Sequence, residues 1–183
     1  IDNSVKVVAI SEATRNSFLQ HYSAEDNKLK VIKSASDFDW IQKERMCREN
    51  ARLDTFPLSG DFSPYILMVT NQLSHKNNLR AVQALINSNC KKLGVGLRIV
   101  GNIGLDEHKL LYESGIEFSM ESQVSDAKLF DTYSNALFLF SPSLSEGHNL
   151  TIGEALELNS NVLCSDIPAH REFYDGRVSF FNP

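Results

Sequence analysis

Short apolar runs alternate along the chain with longer segments in which apolar residues recur at helical spacing. The runs VKVVAI (5–10), LKVIK (29–33), YILMVT (65–70), LRIVG (97–101), IEFSM (116–120), ALFLFS (136–141), NVLCS (161–165) and VSFF (178–181) predict strands. Most lack the polar alternation of a half-exposed sheet, so they predict strands covered on both faces. Helical period predicts helices over 12–22, 40–53, 77–88, 106–113, 126–134, 150–158 and 168–173. In NNLRAVQALI, for example, Leu79, Val82, Leu85 and Ile86 share one face. Strand then helix, repeated this often, predicts an α/β fold: one doubly wound, Rossmann-like parallel sheet with helices on both faces. RLDTFPLSGDFSP (52–64) reads as the longest loop, either an internal excursion or a boundary between two domains.

Composition narrows the class. A chain of 183 residues with 42% apolar content buries a core without covalent staples. It has no run of eighteen apolar residues, and IDNSVKVVAI at the amino end lacks the pattern of a secretory signal. Cys47, Cys90 and Cys164 lie far apart without a C-x-x-C pair, which argues against a disulfide framework or a zinc site. A cytoplasmic setting is expected. The net charge of −5, with no basic stripe, argues against broad nucleic-acid binding.

The common nucleotide fingerprints fit poorly. GVGLRIVG precedes its strand and lacks a third glycine in register. GNIGLDEHKLL (101–111) follows a strand and opens a helix, the place for a backbone phosphate loop or for a plain turn. DFD (37–39) matches a short metal-binding pattern but sits outside any strand end, so no metal site is expected.

SPSLSEGHNLTIGEAL (141–156) is more specific. It places a loop at the carboxyl end of a predicted parallel strand, where open α/β sheets bind ligands. Gly147 there permits positive φ and close approach of a ligand. Helix-start amides can face a diphosphate, whereas Glu146 and Glu154 would be repelled by one and suit neutral sugar or ribose hydroxyls. Each glutamate also has a plainer reading: TIGE (151–154) forms a capping box, and Glu146 is a solvated loop charge.

SPSLSEGHNLTIGEALELNSNVLCSDIPAHREF, with its E-x7-E spacing and the turn SDIP (165–168), resembles the signature segment of glycosyltransferase family 4, retaining enzymes of GT-B fold. VVAISEATRNSFLQHY, KLKVIKSASDFDW, YILMVTNQLSHKNNLRAVQAL, LRIVGNIG and FSMESQVSDAKLFDTYSNALFLF resemble the other segments of that family's carboxyl-terminal, nucleotide-sugar-binding domain, in order. The resemblance implies that residues 1–183 form this one domain, with the amino-terminal acceptor domain outside the chain. The implied donor is a UDP- or GDP-sugar, the implied acceptor a sugar or glycolipid in bacterial polysaccharide or glycolipid assembly. No metal or further cofactor is implied; peripheral membrane association of the longer enzyme is.

Residue by residue, the resemblance implies that Glu154 holds the ribose hydroxyls and Glu146 a donor-sugar hydroxyl. Gly147, His148, Asn149 and Leu150 line the sugar and diphosphate, and Lys76 neutralises the diphosphate as it leaves. Stabilising charge on those oxygens is then the main catalytic task, and no covalent nucleophile is needed. Gly101 is a further donor-binding position, and Met120 falls at the rim of the base pocket. Asn71 and Gln72 stand where many members carry an arginine, so one cation is absent; His75, a group from the other domain, or backbone amides with Lys76 take its place. Met120 and Asn149 stand where glycines are common. His148 either lines the sugar pocket or fills the groove. The alternatives are another GT-B enzyme, such as a nucleotide-sugar epimerase or a glucan synthase, and a degenerate, non-catalytic binding module.

Overall fold

The computed structural model describes residues 6–23, 27–50 and 63–183. The predicted loop 52–64 falls outside these apart from its last two residues, as do the outermost positions of the first predicted strand and of the 40–53 helix. The elements run β1 (Val7–Ala9), α1 (Glu12–His21), β2 (Leu29–Val31), α2 (Asp39–Asn50), β3 (Tyr65–Thr70), α3 (Asn78–Asn87), β4 (Gly96–Gly101), α4 (Leu105–Ser114), β5 (Phe118–Glu121), α5 (Asp126–Ser134), β6 (Phe138–Ser141), α6 (Leu150–Glu157), β7 (Val162–Ser165), α7 (Pro168–Tyr174) and β8 (Ser179–Phe181).

Six of the strands form one all-parallel sheet in the order β5-β4-β3-β6-β7-β8. Its continuous apolar strands are explained by two cores. Along β3, Tyr65 and Leu67 face one core with Ile41 of α2, Tyr133 of α5 and Ile152 of α6. Ile66 and Met68 face the other, with Ala81 and Val82 of α3 and Leu111 of α4. Successive side chains of a strand point to opposite faces, so a strand between two helical layers must be apolar at every position.

The expectation of a single sheet fails for the first two strands. β1 and β2 pair in parallel with each other as a separate two-stranded sheet. Its helix α1 packs against α7, and the Glu172 carboxylate of α7 accepts from the Glu12 and Ala13 amides at 3.0 Å each. Ser11 caps the same helix by accepting from the Thr14 amide. A carboxylate on the open amides of a first turn satisfies orphan donors and complements the helix dipole. Two such bonds fix the small sheet against the large one.

Among the described residues no helix is long and apolar enough to cross a membrane.

Candidate functional site

The strand order reverses between β3 and β6: β4 and β5 lie to one side, β7 and β8 to the other. Such a reversal opens a crevice at the carboxyl ends of the two central strands. The chain leaving β3 supplies Lys76 and the chain leaving β6 supplies Glu146. Their side chains meet across the crevice, Lys76 Nζ at 2.7 Å from Glu146 Oε1, with only 17% and 10% of each exposed. The Ser143 hydroxyl donates to the same carboxylate oxygen at 2.7 Å. Glu146 is therefore no solvated loop charge. Desolvating two ions costs several kcal/mol that their attraction offsets only with good geometry and added hydrogen bonds, so such a pair is poor stabilisation. Its place at the switch point is what gives it meaning.

The two loops are also bonded directly to each other. The Leu144 amide donates to the His75 carbonyl at 2.7 Å, and the Asn77 side chain donates to the Pro142 carbonyl at 3.2 Å. Asn77 itself takes the left-handed conformation, φ 56° and ψ 33°, that an asparagine tolerates better than most side chains. Asn71 and Gln72 each make one local side-chain bond: Asn71 Oδ1 accepts from the Leu73 amide at 3.0 Å, and Gln72 Nε2 donates to the Ile103 carbonyl at 2.9 Å.

Glu154 sits on α6, directly after this loop. Tyr133, buried on α5, donates its hydroxyl to Glu154 Oε2 at 2.7 Å. That leaves Oε1 with no protein partner among the described residues. Burial raises the Glu154 carboxyl above its usual 4.5, opposed by the Tyr133 hydrogen bond. Burial and the neighbouring carboxylate push the Tyr133 phenol well above 10.0, so it remains a donor at any ordinary pH. The capping-box reading of TIGE fails. α6 begins at Leu150 with Asn149 as N-cap, and the Thr151 hydroxyl donates to Asn149 Oδ1 at 2.8 Å instead of capping an amide.

The glycine readings also change. Gly147 is not in the left-handed region; a Cβ there would meet Ile10 Cδ1 at 2.8 Å and Thr14 Oγ1 at 3.3 Å. It is small because the β1–α1 unit lies against it. Gly101 has φ 109°, and a Cβ on it would lie 1.8 Å from the Thr70 carbonyl oxygen, its neighbour in the β3–β4 register. In GNIGLDEHKLL, the Glu107 carboxylate lies over the helix start, where a Gly104 Cβ would be 2.4 Å from Glu107 Oε2. An acid there favours the plain turn.

His148 stacks on Phe173, ring centroids 4.0 Å apart, and its Nδ1 pairs with the Ser34 hydroxyl at 2.6 Å. Burial lowers it below 6.5, against the pull of Glu172. Its ring thus packs between Phe173 of α7 and the chain that follows β2. Leu150 and Met120 are exposed, at 47% and 39%. Asp37 of DFD accepts from the Asp39 amide at 2.9 Å, a helix-start role. Among the described residues no group of three or more His, Cys, Asp or Glu is placed to hold a metal ion. Beside Glu146 a cleft of about 810 Å³ opens between α1 and the 144–147 loop, lined by Ile10, Thr14, Tyr22, Leu144, Gly147 and Pro168.

Sequence reading passed over Tyr133 and His170. His170 is fully buried among hydrogen bonds, and burial holds it below 6.5, against the Ser165 carbonyl and Glu146, with Lys76 lowering it further. Tyr133 carried a usable signal, since it falls on the core face of α5 and a buried phenol requires an acceptor.

No family model matches the chain. It is 25% identical over 185 residues to the O-antigen chain mannosyltransferase RfbU of Salmonella typhimurium, covering 97% of this chain and 46% of that protein. Among solved structures, a glycosyltransferase from Rickettsia africae superposes with a TM-score of 0.74 at 21% identity, over 98% of this chain and 50% of that one. HepE from Anabaena, in complex with UDP and glucose, superposes with a TM-score of 0.68 at 15% identity, over 98% and 50%. The chain spans about half the length of these relatives, and its parallel sheet flanked by helices is the fold of a GT-B glycosyltransferase domain.

Proposed function

We propose that this chain is the carboxyl-terminal, donor-binding domain of a retaining glycosyltransferase of family 4, using a UDP- or GDP-sugar. The observation that carries the reading is the Lys76–Glu146 pair across the β3/β6 switch point, with Glu154 on the helix that follows. A diphosphate at this edge is held by Lys76 and by the open amides at the start of α6. As the bond to the sugar breaks, charge grows on the diphosphate oxygens, and Lys76 stabilises the transition state more than the ground state. Glu146, already oriented by Ser143, accepts a hydroxyl of the donor sugar. Oε1 of Glu154 accepts the ribose hydroxyls while Tyr133 holds Oε2.

Two comparisons support the chemistry. RfbU is a mannosyltransferase and HepE is described with UDP and glucose. The acceptor, a sugar or glycolipid of a cell-surface polymer, is presented by an amino-terminal domain outside this chain, and the longer enzyme works in the cytoplasm or at the inner membrane face. The isolated chain then binds nucleotides but transfers little.

Calorimetric titration with UDP, GDP, UDP-glucose and GDP-mannose, each with and without EDTA, tests the reading. Binding of at least one diphosphate, unchanged by EDTA, is expected. Loss of binding in EDTA would overturn the metal-free chemistry, and absence of all binding would overturn the donor site.

A further inference from the structure

Behind the crevice lies a set of buried polar groups, of which only Ser143 and Asn149 touch the donor site or the start of α6 directly. Ser141, Ser143, Asn149, Ser165 and His170 are all buried. They occupy the carboxyl ends of β6 and β7, the loop between β6 and α6, and helix α7. We propose that His170 is a positioning residue for the donor site, fixing the Glu146 carboxylate through Ser165 and Ser143, and the first turn of α6 through Asn149. This rests on the donor-site reading above.

The hydrogen-bond directions follow from the partners. Asn149 Nδ2 has two hydrogens, one for the Ser141 hydroxyl at 2.8 Å and one for His170 Nε2 at 3.0 Å. Its Oδ1 is taken by the Thr151 hydroxyl at 2.8 Å. His170 Nε2 therefore accepts. The other ring nitrogen, Nδ1, faces the Ser165 carbonyl at 2.8 Å, and only an N–H can bond to it. One neutral tautomer satisfies both ends, and a protonated ring would set Nε2–H against the Asn149 amide hydrogens.

From His170 two arms reach the site. In the first, the ring holds the Ser165 backbone, the Ser165 hydroxyl donates to the Ser143 carbonyl, and the Ser143 hydroxyl donates to Glu146 Oε1 at 2.7 Å. In the second, the ring anchors Asn149, whose carbonyl also accepts from Tyr174 at 2.7 Å and which is the N-cap of α6. Apolar side chains would fill this volume without the risk of unsatisfied groups. What they could not do is fix the turn of a loop that must aim a carboxylate in one direction and helix amides in another.

The two arms are separable by substitution. His170→Asn keeps a donor near the Nδ1 position and so the Ser165 arm; His170→Gln keeps an acceptor near Nε2 and so the Asn149 arm; His170→Phe keeps the shape and neither. The whole chain and these three variants are titrated with UDP and UDP-glucose, and with GDP and GDP-mannose, with melting curves for each. The Glu146 carboxyl carbon resonance is recorded in ligand-free, 13C-labelled protein.

His170→Phe is expected to weaken the nucleotide sugar by about five- to twentyfold, one to two hydrogen bonds' worth, and the plain diphosphate less. His170→Asn restores the sugar-dependent increment and the wild-type Glu146 resonance; His170→Gln restores the diphosphate but not the increment. Losses that merely follow melting temperature across all three variants, or an unmoved Glu146 resonance in His170→Phe, overturn the proposal. If wild type binds no nucleotide while the resonance still follows the series, the positioning role stands and the donor-site reading falls.

Discussion

Tyr133 and Glu154, on different helices and 21 residues apart, are joined by a 2.7 Å hydrogen bond from the phenol to Oε2. The bond opposes the effect of burial on the carboxyl group and leaves the other oxygen without a protein partner among the described residues. Tyr133→Phe keeps the ring in its core and removes only the donor. A hydrogen bond to a charged group is worth about 1.5–3 kcal/mol, so nucleoside diphosphate affinity is expected to fall roughly tenfold at neutral pH, measured by calorimetry. An unchanged affinity would remove Glu154 from the ribose.

The same carboxyl predicts opposite pH trends for stability and binding. Its folded value lies above 4.5 because of burial, so in the window between 4.5 and that raised value the folded state binds more protons than the unfolded one. Glu154's contribution to stability therefore increases as pH falls through this window. Nucleotide affinity should fall over the same window, because the ionised carboxylate is the better acceptor. In Tyr133→Phe, where the lowering hydrogen bond is gone, the affinity midpoint should move to higher pH. Titrations in steps from pH 7 to about pH 4.5, alongside melting curves, check both signs.

The glutamates should separate by ligand. Glu154→Gln replaces a charged acceptor with an amide and should weaken both nucleoside diphosphate and nucleotide sugar by roughly 1–3 kcal/mol. Glu146→Gln should weaken the nucleotide sugar and spare the plain diphosphate, since only the sugar carries the hydroxyl it accepts. Equal losses on both ligands for both variants would dissolve the division of labour.

The six-stranded sheet was legible because strands covered on both faces must be apolar throughout, and YILMVT is the plain example, its alternate residues feeding two cores. The separate β1–β2 sheet was not. Apolar pattern identifies a strand but carries nothing about its partner, and three-residue strands add little register. The loop after β6 was located correctly, yet its details were misread wherever a distant element intervenes. Thr151 and Glu154 have capping-box spacing, but Asn149 is held by His170 and Ser141 and starts the helix two residues before Thr151. Gly147 answers to Ile10, more than 130 residues earlier in the chain. Local spacing could not reveal either.

Gly101 makes a stability prediction independent of ligands. Gly101→Ala combines a φ of 109° with a Cβ 1.8 Å from the Thr70 carbonyl oxygen, a backbone atom at the carboxyl end of the adjoining strand β3. Backbone strain and overpacking together should cost roughly 2–5 kcal/mol, read as a lowered denaturation midpoint. A substitution tolerated at wild-type stability would mean that β3 and β4 are not in the register described.

The Lys76–Glu146 pair allows stability and binding to be pulled apart with one double-mutant cycle. Lys76→Met keeps the length of the stem but leaves Glu146, 10% exposed, with only the Ser143 hydroxyl as partner among the described residues. An uncompensated carboxylate in that position should destabilise the chain by about 1–3 kcal/mol, less than a fully buried case because the crevice is open to water. Adding Glu146→Gln removes the orphaned charge and should recover most of that loss. Diphosphate affinity should behave differently: it falls with Lys76→Met, because the cation facing the phosphate oxygens is gone, and it stays low in the double variant. If affinity recovers together with stability, Lys76 serves Glu146 alone, and the diphosphate is held by the backbone amides of the loop and of α6.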